Sequence, residues 1–139
     1  MSNTLQFNII LPSKAIPAME VARVVVPAVK GMLTIVPNRA PTTVLLTNGV
    51  LEILNEREEA VKKYFIQGGI ANIATNNCVV LTDRAFDFDE ISKEMIEELR
   101  AEHYRELSEV KSSFPINELE AEDSEMKFYD YITHYMSLQ

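Results

Sequence analysis

The chain has 139 residues, 47% of them hydrophobic, and a formal net charge of −8. That length can bury one good core, and that composition is too apolar for wholesale disorder. The negative balance argues against nucleic acid as a partner, since phosphates need a basic patch, and against direct adhesion to anionic lipid; no direct lipid insertion is expected.

The elements follow in order. Leu5-Gln6-Phe7-Asn8-Ile9-Ile10 alternates apolar and polar residues and stops at Pro12, which predicts a half-buried strand. Val21 to Val26 is β-branched and ends at Pro27; Met32 to Val36 follows Gly31 and ends at Pro37. Pro37-Asn38-Arg39-Ala40-Pro41 is a rigid corner bounded by two prolines. Thr43 to Thr47 and Val50 to Leu54 flank Asn48-Gly49, and Asn55 to Glu59 reads as a hairpin loop into Val61 to Ile66. Gln67-Gly68-Gly69 interrupts strand sequence with a glycine pair, the mark of a bulge or a close backbone approach. Ile70 to Ala74 and Cys78 to Thr82 flank a tight Thr75-Asn76-Asn77 turn. Many short strands without helical interruption indicate an antiparallel sandwich or barrel.

Near Phe86 the character changes. Residues 1–86 carry a net charge of +2 and residues 87–139 a net charge of −10, with no glycine in the second stretch. Asp89 is the expected N-cap of a helix whose stripe is Ile91, Met95, Leu99, His103, Leu107 and Val110. His103 lies on that stripe and reads as a packed or partly satisfied histidine rather than a ligand. Ser112-Ser113-Phe114-Pro115 breaks the helix, and Asp123 or Ser124 can cap a second one carrying Met126, Tyr129, Ile132 and Met136. The fold class is therefore α+β: a β-sandwich domain over 1–86 and a regulatory αα-hairpin over 87–139. Two helices bury little surface by themselves, so the hairpin is expected to lean on the β module or on a partner.

No reaction centre is visible. There is no phosphate-binding glycine loop, no cysteine–histidine cluster with metal spacing, and no nucleophile beside a base in sequence, so no catalytic or metal residues are assigned. No run approaches the ~20 apolar residues of a membrane span. The single cysteine, Cys78, heads an apolar run and reads as a buried small hydrophobe in a reducing compartment. Met1 to Pro12 has neither a cationic flank nor a long apolar stretch, so no secretory or transit segment is expected.

The glycines and prolines carry a resemblance. Gly31-Met32-Leu33-Thr34-Ile35-Val36-Pro37-Asn38-Arg39-Ala40-Pro41, then Asn48-Gly49, Gln67-Gly68-Gly69-Ile70 and Asn77 to Ala85 stand in an order that resembles the epsilon subunit of F-type ATP synthase, called delta in mitochondria. The resemblance covers nearly all of residues 5–111. It departs at Met32, where the family often has an acidic residue, at Thr34, where it often has glycine, and at Arg39, where it often has histidine. It implies a non-catalytic central-stalk (rotor) subunit that couples proton flow to ATP synthesis. The implied partners are the gamma subunit, the membrane ring and the catalytic alpha/beta hexamer. The implied location is peripheral, on the cytoplasmic face of a bacterial inner membrane. Gly31, Met32, Pro37, Asn38, Arg39, Ala40, Pro41, Gly68 and Gly69 are the implied partner-binding residues. In the family, the hairpin can fold back or extend to restrain ATP hydrolysis; a short acidic second helix is expected to inhibit weakly.

Ile96-Glu97-Glu98-Leu99-Arg100-Ala101 is similar to the family's regulatory ATP motif, Ile/Leu-Asp-x-x-Arg-Ala, with Glu97 in place of Asp. Ile96, Glu97, Arg100 and Ala101 would be its contacts. The plainer reading is a solvated i,i+3 pair of Glu97 and Arg100, and it is preferred, because Lys127 is the only cation after Lys111. No cofactor is therefore expected. An alternative from another class is a stand-alone β-sandwich binding module whose acidic hairpin recruits a basic protein.

Overall fold

In the computed structural model, which describes residues 4–110 and 123–138, ten strands precede two helices. The strands are β1 (Leu5–Ile10), β2 (Ala15–Val21), β3 (Arg23–Ala28), β4 (Gly31–Ile35), β5 (Thr42–Leu46), β6 (Gly49–Leu54), β7 (Ala60–Ile66), β8 (Gly69–Ala74), β9 (Asn77–Leu81) and β10 (Ala85–Asp87). The helices are α1 (Lys93–Val110) and α2 (Ser124–Ser137). Residues 1–89 and 90–139 form two compact units.

The strands form one curled sheet in the order β10-β7-β6-β3-β5-β8-β9-β1-β2, with β4 branching from β3. Pairings are antiparallel except that of β1 with β9, which is parallel. Alternation aims one set of side chains inward: Leu5, Phe7, Ile9, Val24, Val26, Ile35, Leu51, Ile66, Ala71, Cys78 and Val80 are each essentially sealed from solvent. Each large one contributes roughly 1.5–3 kcal/mol of burial. Burial pushes the Cys78 thiol up to about 12, so it stays protonated and inert.

Two strand boundaries differ from expectation. The run Val21 to Val26 is split: Val21 ends β2 and Arg23 starts β3, which continues through Pro27. Pro27 still takes part through its carbonyl, which accepts from Thr47 N–H at 2.9 Å. β2 is an additional strand. It contains Pro17 and lies at the end of the sheet order, where a missing N–H need not break a ladder.

β10 closes the β unit. Asp87 pairs with Tyr64 in register, and its carboxylate meets Lys62 Nζ at 2.7 Å. Burial opposes ionisation of Asp87, but Lys62 and the Asp89 N–H outweigh it and hold the carboxyl below its ordinary range. Phe88 then stacks on Phe65 at 4.4 Å between ring centroids.

The first helix starts later than expected. Asp89 is not its cap: the Asp89 N–H donates to Asp87 Oδ1 in a turn, and Ser92 Oγ accepts from Met95 N–H at 3.2 Å. Ile91 therefore precedes the helix, and among the described side chains of α1 the fully buried one is Ile96. The cap of α2 is Asp123, whose carboxylate accepts from Met126 N–H at 3.0 Å. The helices pack antiparallel, since Arg100 meets Asp130 while His103 meets Asp123. Met126, Phe128, Tyr129 and Ile132 are buried on α2. The expected break at Ser112 to Pro115 lies outside the described residues.

Candidate docking surface

Register along the sheet divides the sequence-implied partner residues into two groups. Ala28 pairs with Gly31 and with Leu46, and Leu46 pairs with Gly69. Gly31, Met32, Gly68 and Gly69 therefore gather at one end of the β unit. The Pro37–Pro41 corner lies at the far end of β4. There the Asn38 N–H donates to Thr75 O at 2.7 Å, joining the corner to the β8–β9 turn. Four rises of about 3.3 Å separate Gly31 from Ile35, so one small contact cannot include both groups.

Local chemistry explains each group. Gly68 and Gly69 have φ of +55° and +118°. A Cβ on Gly69 would sit 2.0 Å from Leu81 O, so the backbone of β9 passes where a side chain would be. At the corner, Asn38 adopts φ +65°, a conformation asparagine tolerates. Arg39 Nη1 donates to Thr34 O at 3.3 Å, fixing a half-buried guanidinium stem beside exposed Ala40 and Pro41.

The outer face of β5, β8, β9 and β1 carries a feature that sequence reading missed. Leu45 pairs with Ile70, Ile70 with Leu81, and Leu81 with Ile10. All four point outward, and Leu45 is 64% exposed. Along the same strands, the next outward row is more polar: Thr43, Asn72 and Asn8 flank Val79, with Thr43 Oγ1 donating to Asn72 Oδ1 at 3.0 Å. The apolar row thus occupies only the Met32 end. Val29 (64% exposed) and Met32 (61%) extend it, since Val29 N–H donates to Leu45 O. Two hollows score the row, one of about 480 Å³ between Ala28–Leu33 and Thr43–Leu45, the other of about 310 Å³ around Gly69, Ile70 and Leu81. A larger hollow of about 590 Å³ lies near Asn55, at the other end, and is rimmed by Glu20, Glu56, Arg57, Glu59 and Lys62. The apolar row is the better candidate for a partner, because dry contact area contributes more than solvated charges. Its sequence signal was the doubled apolar residues at strand ends: Leu45-Leu46, Val80-Leu81 and Ile9-Ile10.

In the hairpin, the four residues of the nucleotide-like motif are not equivalent. Ile96 is fully buried, while Glu97 and Ala101 are exposed. Arg100 Nε donates to Asp130 Oδ1 at 2.8 Å across the two helices. Arg100 thus already faces a carboxylate. Among the described residues, no cluster of three or more histidine, cysteine or acidic side chains could hold a metal. No described helix is long and apolar enough to cross a membrane.

The comparisons with known proteins agree with this architecture. Residues 4–87 match the family model described as ATP synthase, Delta/Epsilon chain, beta-sandwich domain. The ATP synthase epsilon chain of Jannaschia sp. (strain CCS1) is 36% identical over 96 residues, covering 69% of this chain and 71% of that one. That of Rhizobium etli is 33% identical over 119 residues, covering 81% and 86%. A chain in the Euglena gracilis mitochondrial ATP synthase structure (OSCP/F1/c-ring) matches with a TM-score of 0.70 over 100% of this chain and 84% of that chain, at 19% identity, which bears on the fold alone. With a family model spanning the β unit and relatives above 30% identity beyond it, this chain belongs to the ATP synthase delta/epsilon family.

Proposed function

We propose that the chain is a non-catalytic rotor-stalk subunit of an F-type ATP synthase. Its β unit grips the gamma subunit and the membrane ring and passes torque between proton flow and the catalytic hexamer. The observation that carries this reading is the apolar row Leu45–Ile70–Leu81–Ile10 at one end of the outer face of β5, β8, β9 and β1. Gamma covers the row and reaches along the sheet toward the Pro37–Pro41 corner. The turn carrying Gly31 and Met32 meets the loops of the ring, with Met32 packing where a charge pair would otherwise form. Stiffness suits this work: the closely packed interior lets a load on one strand be shared by the whole sheet. The subunit is peripheral, on the cytoplasmic side of a bacterial inner membrane.

The test is co-purification after Leu45→Glu together with Ile70→Glu. Both side chains point outward, so the β unit is expected to fold with little change in stability. Placing two carboxylates in a dry contact is expected to cost at least about 100-fold in retention with gamma, consistent with about 3 kcal/mol. Full retention overturns the assignment of the row.

Regulatory nucleotide is not part of this reading. Isothermal calorimetry with ATP on the full chain is expected to show no binding at micromolar concentration; a micromolar Kd would mean that Arg100 leaves Asp130 for phosphate.

A further inference from the structure

The hairpin holds one cluster of titratable groups that the docking reading does not use. His103, on α1, has a side chain only 14% exposed. Its Nε2 lies 2.7 Å from Asp123 Oδ1, the carboxylate that caps α2. Its Nδ1 lies 3.5 Å from Glu125 Oε1 on α2 and 3.8 Å from Glu106 Oε2, one turn along α1. The Tyr129 hydroxyl donates to the other oxygen of Glu125 at 2.7 Å, which fixes that carboxylate, and its ring meets the imidazole edge at 6.5 Å. Both ring nitrogens therefore face carboxylates. A neutral imidazole has one N–H and one lone pair. With the proton on Nε2, the lone pair of Nδ1 faces Glu125 and Glu106; with the proton on Nδ1, the lone pair of Nε2 faces Asp123 at hydrogen-bond distance. Only the imidazolium presents a donor on both sides.

We propose that His103 is a proton-operated clamp between the two helices, binding a proton when the hairpin closes and releasing it when the helices part. Asp123 supplies the anionic jaw. Burial works against its ionisation, but the Met126 N–H and His103 outweigh that and keep the carboxyl below its ordinary range. The signs of the two linkages are opposite. The clamp's contribution is present while the imidazole donates on both sides and is lost when pH rises enough to remove its second proton. Asp123 contributes above the ordinary carboxylate range and is lost as pH falls through its depressed value. The hairpin is thus tightest in mild acid. This inference concerns the isolated chain and stands whether or not the β unit docks as proposed.

The experiment is NMR on the full chain, with ring-nitrogen signals of the histidines and methyl signals of the methionines. The ring-nitrogen signals of His103 are followed through pH, with exposed His134 as the solvent-facing reference. The methyl of Met126, fully buried in the closed hairpin, reports packing. Its open-to-closed ratio is expected to rise by up to about tenfold per pH unit as His103 deprotonates. His103→Gln is expected to flatten that dependence. Glu125→Gln, which leaves the Asp123 cap and its His103 contact in place, is expected to make His103 release its proton at lower pH. An unchanged Met126 profile in His103→Gln, or an unchanged His103 titration in Glu125→Gln, overturns the clamp.

Discussion

Gly69 shows how one residue can set the geometry of the docking end. Its φ of +118° is outside the range of ordinary side chains, and a Cβ there would meet Leu81 O at 2.0 Å. Gly69→Ala is therefore expected to destabilise the β unit by at least about 3 kcal/mol, combining backbone strain with displacement of β9. Gly31 is the control: φ is +128°, but a Cβ there would find nothing within 4 Å. Gly31→Ala should cost only about 1–2 kcal/mol, from the backbone alone. Urea unfolding of both variants measures the difference, and equal losses would contradict the close-approach argument. This feature was readable in the sequence, since a glycine pair amid strand residues marks a bulge or a place where another backbone comes close. That Leu81 is the residue it must clear was not, because the β8–β9 register decides it.

Among the elements, the hairpin is built from caps, cross-helix polar contacts of Arg100 and His103, and a small buried cluster around Ile96, Met126, Tyr129 and Ile132. The Arg100–Asp130 pair is partly solvated, so it contributes at most about 1 kcal/mol and guides register more than it stabilises. The second helix brings Glu125 and Asp130 against Lys127 alone within its described length, so it offers little to an acidic surface on another subunit. We propose that its restraint on hydrolysis is weak. Removing residues 90–139 is expected to leave ATP hydrolysis by the reassembled complex within about twofold; a several-fold rise would show that the hairpin inhibits. The helices themselves were legible from apolar spacing, and Asp123 from its capping chemistry. The start of α1 was not. Asp89 and Ser92 are both good caps by residue type, and the Asp87 carboxylate settles the competition by folding Asp89 into a turn. β2 was hidden for a different reason: Pro17 argues against a strand unless the strand lies at a sheet edge, and edges are a property of the assembled sheet.

Over the whole molecule, the division into a glycine-punctuated β half and an acidic helical half follows from composition, and the inward core follows from alternation along each strand. Two things needed the assembled sheet. The parallel pairing of β1 with β9 joins residues some seventy positions apart, beyond any local pattern. The apolar row needs three registers at once, because each of its members looks like an ordinary strand-end residue when read alone. The same registers place Met32 and Arg39 at opposite ends of the β unit, so a rotor that uses both must offer two distinct contacts. Cysteine crosslinking in native membranes tests this most directly, with Cys78→Ala removing the buried native thiol and single cysteines placed by Met32→Cys or Arg39→Cys. The account predicts a ring-subunit product from position 32 and a gamma-subunit product from position 39. Failure of both positions to join any rotor subunit in an assembled, active complex would contradict it.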